Sequence, residues 1–326
     1  MTATTIAPTK DQPTADAFLI KRPPRSLGKD ALHRLTKNKA SMAGLAVIIL
    51  FMFVAIFAKQ LAPHDPLKIN KGLSYLPPAW AEGGDRRFLL GTDSIGRDVL
   101  SRTIYGARVS MAVGLIPAAI ILVLGTVIGM MAGFGGRTTD NLLMRFTDII
   151  YAFPDLLFFI IVMVSLRETT IGQFMNGLLL LFAALAIVSW VTIARLVRGQ
   201  VLSLKEKEFI EAGKMIGAPN RRIMSHHLLP NILGIIIVYT AFRIPALIIT
   251  EAVLGYLGIG MRPATNSNSF FITSWGSLML DGQGAINSQF MMLLAPAVCV
   301  ALIVMAFTFL GDGLRDAFDP RMAGTK

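Results

Sequence analysis

The sequence predicts an all-α, polytopic membrane protein with about six transmembrane helices. Three observations lead there. First, 54% of the 326 residues are hydrophobic and only 16% charged, with a mean hydropathy of +0.61; soluble domains carry roughly 25% charged residues. Second, the charge is crowded into a few segments. Third, those segments are separated by apolar runs of about 20 residues, the length a helix rising 1.5 Å per residue needs to cross a hydrocarbon core of roughly 30 Å. A bilayer offers no partner to an unpaired backbone N–H or C=O, so each run must satisfy its own and is expected as a helix.

The elements follow in order. Residues 1 to about 25 are rich in Thr, Ala, Pro and charge, and read as a disordered tail. Lys29–Lys39 is basic and partly amphipathic, and is expected as a helix lying at the membrane surface. With the tail it makes a cytoplasmic N-terminal segment, 1–39. A transmembrane domain follows over 40–311, with spans at about 40–61, 109–133, 142–165, 177–197, 230–252 and 291–311, and 312–326 is a short cytoplasmic C-terminal tail. The first run begins near Ala40, too far along for a cleaved signal peptide, so it is expected to remain as the first anchor. The third run contains Pro154 and Asp155, and the fifth contains Arg243 and Pro245, so neither is a plain anchor.

The formal charge of +11 invites a nucleic-acid reading. The basic residues cluster at the ends of the apolar runs and form no aromatic-interleaved surface, which excludes it. Anionic headgroups and topology account for them instead. Most of the Lys and Arg fall in the tail, the 134–145 turn, the 195–228 loop and the C-terminus, which places both termini in the cytoplasm. The long loop at about 62–108 is the exception, but Asp65, Glu82, Asp85, Asp93 and Asp98 offset much of its charge. The single cysteine, Cys299, lies in an apolar run, so neither a disulfide nor a cysteine metal site is available.

The most informative stretch is EKEFIEAGKMIGAPNRRIMSHHLLPN, residues 206–231, most of it in a cytoplasmic loop at 200–229. It is too polar to cross a bilayer, yet it is patterned. Glu208–Ile216 reads as a short helix with an apolar ridge of Phe209, Ile210, Ala212 and Met215/Ile216. Gly217 supplies a stop, and Pro219 suits the first turn of a second helix, Asn220 to about Leu229, that feeds the next span through Pro230. The expectation is a stiff cytosolic bar fused to a transmembrane helix. His226 and His227 raise the thought of a metal, but adjacent positions do not share a helical face, and His227 is assigned to the loop-to-helix junction.

Other polar or small residues each admit a functional and a structural reading. Gly125, Gly129 and Gly133 form a small-xxx-small ladder for close helix packing, within this chain or against a partner. A cation at the middle of a span costs about 2.5–3.5 kcal/mol on insertion scales, so Arg243 is expected to face a polar interior. It either lines a path and attracts a substrate carboxylate, or forms a structural pair with Asp148, Asp155 or a partner chain. Asp155 lines the same path or caps the turn after Pro154. Leu90–Arg102 either folds over an outer mouth to receive a binding protein or is a packed loop. Nothing matches the P-loop pattern GxxxxGK followed by Ser or Thr: the two Gly-Lys pairs, Gly28-Lys29 and Gly213-Lys214, precede Asp30 and Met215. Energy must therefore come from elsewhere. No HExxH or GxSxG pattern supports a membrane hydrolase.

At this point a resemblance becomes specific. Glu211-Ala212-Gly213, then Gly217, Ile223 and His227-Leu228-Leu229-Pro230-Asn231, resemble the EAA loop of ABC-importer permeases. LGTDSIGRDVLSRTIYGARVS at 90–110, LGDGLRDAFDPR at 310–321, the first span KNKASMAGLAVIIL with LAPHDP at 61–66, and MRFTDIIYAFP at 144–154 are similar to the second permease of the dipeptide/oligopeptide/nickel branch. The likeness covers nearly everything after residue 30. It implies a type I ABC importer permease fold in a bacterial or archaeal plasma membrane, forming half of a translocation pathway for di- or oligopeptides. It implies that 200–229 is a coupling loop in which Phe209, Ile210, Glu211, Ala212, Gly213, Met215, Ile216 and Gly217, with His227 and Pro230, couple the chain to ATPases. The partners implied are a second, homologous permease, two cytoplasmic ATPases that bind the ATP and Mg, an extracytoplasmic solute-binding protein and membrane lipid; no cofactor, metal or catalytic residue is expected in this chain. The chain departs from the family at Gly213, where a second alanine is common, and at Asp155 and Arg243, where small or neutral residues are usual. Ala264–Thr273 looks like an insertion in an outer loop. Nickel chelates or other small solutes are the alternative cargo, and an ion-coupled secondary transporter is the competing class, although the few acids near the spans (Asp148, Asp155, Glu251) and the lack of a clear repeat speak against it.

Overall fold

A computed structural model describes residues 27–266 and 268–319. The expected disordered tail, with Lys10, Lys21, Arg22 and Arg25, lies outside the described residues, as do Arg321 and Lys326. The described chain is helical apart from turns and one isolated antiparallel bridge between Thr92 and Asp98.

Helix α1, Leu27–Lys37, is joined to α2, Lys39–Ile56, through Asn38, whose side chain accepts from the Ser41 amide at 3.2 Å and caps α2. The first apolar run is broken at Phe57, after which α3 covers only Ala58–Leu61. A long connection, 62–98, leads to α4, Val99–Phe134, capped by Asp98 accepting from the Ser101 amide at 2.9 Å. At 36 residues α4 is about 54 Å long, well beyond a bilayer core, and it begins ten residues before the expected 109.

The third apolar run is not one straight span. It divides into α5, Arg137–Tyr151, and α6, Asp155–Ser165, which meet at 76°. Pro154 is the cause: it lacks an N–H and pushes Phe153 out of the helical region. The hydrogen-bond ladder stops at Phe153 N to Ile150 O and restarts at Phe158 N to Pro154 O. Helix α7, Thr170–Gln173, and a 3-10 turn, Phe174–Gly177, lead into α8, Leu178–Leu204.

After α8 come α9, Glu208–Met215, α10, Asn220–Arg222, and a π-helical turn, Ile223–Leu228, that runs straight into α11, Leu229–Tyr256. The wide turn follows from Pro230, which cannot donate to the residue four back and crowds its carbonyl. Asn231 Nδ2 donates to the His227 carbonyl at 2.6 Å. The second helix expected over Asn220 to about Leu229 runs on into α11, as anticipated, with a π-helical turn at the junction. Helix α12, Trp275–Gln283, precedes α13, Met291–Phe318.

Among the described residues five helices are long and apolar enough to cross a membrane, six if α5 and α6 count as one broken span. Helix α8 is the central post: 78% of its most apolar window is buried, against 22% for α2 and α13. The core lies where α8 meets α4 and α11, around Ile121, Leu185, Ile193, Val197, Ile236 and Ile248. The outward faces of α2 and α13 carry Ile49, Leu50, Phe53, Val298 and Met305, all exposed, as a lipid-facing surface requires.

Candidate functional site

Two regions combine features that a plain helical bundle does not need: the crossbar at 205–228 and a charged recess in the middle of the bundle.

In the crossbar, α9 turns two faces in opposite directions. Ile210 and Gly213 face inward, where Ile210 is fully buried in one core cluster with Ile223 and Leu228 at the root of α11. Phe209, Ala212, Met215 and Ile216 face outward. The single apolar ridge expected from the sequence is thus split, and Ile210 anchors the bar rather than presenting itself. Met215 is 89% and Ile216 84% exposed, beyond any other large apolar side chain among the described residues. Glu211 beside them is exposed and makes no ion pair among the described residues.

The end of α9 is fixed by a Schellman cap: Gly217 N donates to Lys214 O at 3.0 Å and Ala218 N to Gly213 O at 3.1 Å. Gly217 has φ +75°, where a Cβ is strained. Two lysines tie the bar to the end of α4: Lys205 Nζ donates to Gly133 O at 3.2 Å, and Lys214 Nζ lies 5.7 Å from the Phe134 ring centroid. His227 is half-buried in the π turn and Pro230 is exposed at the start of α11. The junction role given to both is one of backbone shape, not side-chain chemistry.

The post above the bar is clasped to α5. Arg198 grips Asp140 with two bonds of 2.5 and 2.6 Å, and Arg195 donates to Asp148 at 2.7 Å while lying 4.2 Å over the Tyr151 ring. Asp148 is therefore occupied by Arg195 and is not the partner of Arg243. The glycine ladder faces the same post. A Cβ on Gly125 would collide with Ile193; on Gly129 it would lie 2.5 Å from the Ala194 carbonyl, and on Gly133 2.8 Å from Val201 Cβ. Of the two packing partners left open by the sequence, the ladder uses this chain's own α8.

A recess of about 240 Å³ opens between α6, α8 and α11. Arg243 and Asp155 both line it, with Ser189 and Thr250 and the apolar walls Phe159 and Leu247. Asp155 is exposed at the start of α6 and caps nothing. Among the described residues no ion pair reaches Arg243 or Asp155, from each other or elsewhere. Arg243 Nε and the Ser189 hydroxyl are buried without a hydrogen-bond partner. Ser189 carried no signal in the sequence, since a lone serine in an apolar run is ordinarily satisfied by its own helix.

The opposite end of the bundle is a fixed cap. Asp93 is almost wholly buried and pairs with Arg97 at 2.6 Å and Arg102 at 2.5 Å, and Arg102 reaches Asp281 near the end of α12 at 3.1 Å. Gln289 Nε2 donates to the Leu76 carbonyl. Of the two readings of Leu90–Arg102, its geometry is that of a packed loop. Ala264–Thr273 is also docked: Ala264 N donates to Ile272 O at 2.7 Å, and the Phe270 ring covers the Arg108 guanidinium at 4.3 Å. Deeper in, Glu251 is fully buried and accepts from Ser110 Oγ at 3.0 Å, joining α11 to α4 beside Trp275.

Comparison with known proteins places this geometry. The family model for binding-protein-dependent transport system inner membrane components matches residues 125–324. A model for the N-terminal transmembrane domain of oligopeptide transport permease C matches residues 26–78. The chain is 38% identical to an oligopeptide transport system permease protein of Bacillus subtilis, over 94% of each chain. It is likewise 38% identical to a dipeptide transport system permease protein of the same organism, over 94% of this chain and 90% of the relative. With an oligopeptide transport system permease protein of Escherichia coli K12 it shares 37% identity, over 91% and 92%.

Proposed function

Because this chain belongs to the family of binding-protein-dependent transport system inner membrane components, we propose that it is a permease subunit of an ATP-driven ABC importer that carries di- or oligopeptides. The cargo is taken from the relatives, whose names describe oligopeptide and dipeptide permeases over almost the whole length compared. In this reading the chain forms half of the pathway beside a second, homologous permease and performs no chemistry itself. Two ATPases bind the nucleotide and Mg, and an extracytoplasmic binding protein delivers the solute.

One observation carries the mechanism. Met215 and Ile216 stand in water at the tip of α9, while Ile210, on the other face, is buried against the root of α11. Two such exposed apolar side chains next to a free carboxylate, Glu211, make an anchor for a partner's groove. Because α9 is capped rigidly and lashed to α4, a push on Met215 is delivered to α11 through Ile210 and Ile223 instead of being lost in a flexible loop. The crossbar end is then cytosolic, both termini lie on that side, and the cap faces outward. Alternating access proceeds as rigid-body rocking of the helices around the central path.

The test is ATP-dependent uptake of a labelled tripeptide by the complex in sealed proteoliposomes. Glu211→Lys and Gly217→Asp should leave the chain inserted but uncouple ATP hydrolysis from uptake. Normal ATP-dependent uptake by both variants, with the ATPases still bound, removes the basis for the coupling assignment. Uptake driven by an ion gradient without ATP overturns the importer reading as a whole.

A further inference from the structure

The recess between α6, α8 and α11 opens at the surface of the bundle, where Asp155 is exposed, and reaches in to Arg243 at the middle of α11. Arg243 is about 20 Å from either end of α11, being 14 residues beyond Leu229 and 13 before Tyr256. Charges at that depth face a protein interior or a water-filled path. Here they face one recess together. Arg243 presents a cation and Asp155 an anion, and neither has an ion-pair partner among the described residues. In the same recess Ser189, only 3% exposed, has a buried hydroxyl with no hydrogen-bond partner, and Phe159 and Leu247 supply apolar wall.

This inventory selects its occupant by exclusion. A simple anion would satisfy Arg243 but be repelled by Asp155, and a metal ion would meet the reverse. A neutral apolar solute would leave both charges and the hydroxyl unmet. A small molecule with a carboxylate at one end, an ammonium at the other and an apolar body between satisfies all three.

We infer that this recess is a zwitterion-binding subsite on the translocation path, in which Arg243 holds the free carboxylate of a short peptide, Asp155 its free ammonium, and Ser189 a polar atom between them. The inference rests on the importer reading and deepens it: selection for both free ends takes place inside the membrane, after the binding protein has released its load. Charge-assisted bonds of this kind are short and directional, so removing either end of the peptide should be felt separately.

The experiment compares a dipeptide with free ends, its C-terminal amide and its N-acetyl form. All are offered to the intact complex in proteoliposomes, and uptake is expressed per molecule of loaded binding protein so that the preferences of that protein drop out. The unaltered complex should carry the free dipeptide about tenfold faster than either derivative, the size expected for one charge-assisted bond. Arg243→Gln should abolish discrimination against the amide while keeping that against the N-acetyl form, and Asp155→Asn should do the converse. Arg243→Lys, which keeps the charge, should preserve both preferences and guards against a fault in assembly. Equal slowing of all three substrates by both neutral variants, or no change in any ratio, overturns the subsite and returns the pair to a structural role. Absence of ATP-dependent uptake by the unaltered complex instead overturns the importer reading, and the subsite with it.

Discussion

Gly213 and Ile223 face each other across a gap the size of one methyl group: a Cβ built on Gly213 would lie 4.0 Å from Ile223 Cγ1 and meet nothing closer. Gly213 also has ordinary helical geometry, so its lack of a side chain serves no turn. Gly213→Ala should therefore stabilise α9 by about 0.5–1 kcal/mol through helix propensity, with added contact to Ile223. Thermal unfolding of the purified protein in detergent reads this as a higher midpoint; a lower one means the gap is already filled.

Gly217 behaves in the opposite way. At φ +75° any L side chain is strained, by about 1 kcal/mol or more. The space around it is open, so the effect is on the cap and not on packing. Gly217→Val should loosen the crossbar and weaken co-purification of the ATPases, while Gly217→Asn, which tolerates the left-handed region, should do so less. Equal retention of the ATPases by Gly217→Val and the unaltered chain contradicts this.

The interface of α4 with α8 leaves no room for side chains on the ladder. Gly129→Leu should cost about 1–3 kcal/mol or more by overpacking against Ala194 and Val197. Gly199→Ala is the matched control, since a Cβ there meets nothing within 4 Å. The yield of monodisperse protein should fall for the first and hold for the second.

Arg102 is 2% exposed and depends on Asp93 for a buried counter-charge. Asp93→Asn leaves that cation poorly compensated and should destabilise the cap by about 3–5 kcal/mol, the usual result of halving a buried ion pair. Protease sensitivity of the 62–98 connection should rise sharply. Asp85→Asn, which removes the partner of the exposed Arg87, should leave it unchanged.

Much of this architecture was legible in the residues, and the exceptions have definite causes. Apolar runs revealed the long helices, Gly217 the end of α9, and the four-residue spacing of Gly125, Gly129 and Gly133 a close packing. The first turns of α4 were missed because Arg102 and Arg108 look like loop residues to a hydropathy reading. They are tolerated in a helix because the cap supplies Asp93 and Asp281 to Arg102, and α2 supplies the Ala55 carbonyl to Arg108. Pro154 was visible, but a proline tells of a bend and not of 76°, which depends on what α5 and α6 each pack against. The recess was half legible: Arg243 and Asp155 stood out as misplaced charges, whereas their sharing one recess with Ser189 depends on which faces of three separate helices turn together.

The elbow at 152–154 divides the third membrane passage into two independently steerable pieces. Helix α5 is handcuffed by Asp140 and Asp148 to the post that leads into the crossbar, and must swing when the post swings. Helix α6 hangs beyond the broken ladder, with Asp155 at its tip. In the importer proposed above, twisting these three residues would re-aim α5 while α6 keeps Asp155 on the cargo, so that a door on the inner side opens without first dismantling the chamber behind it.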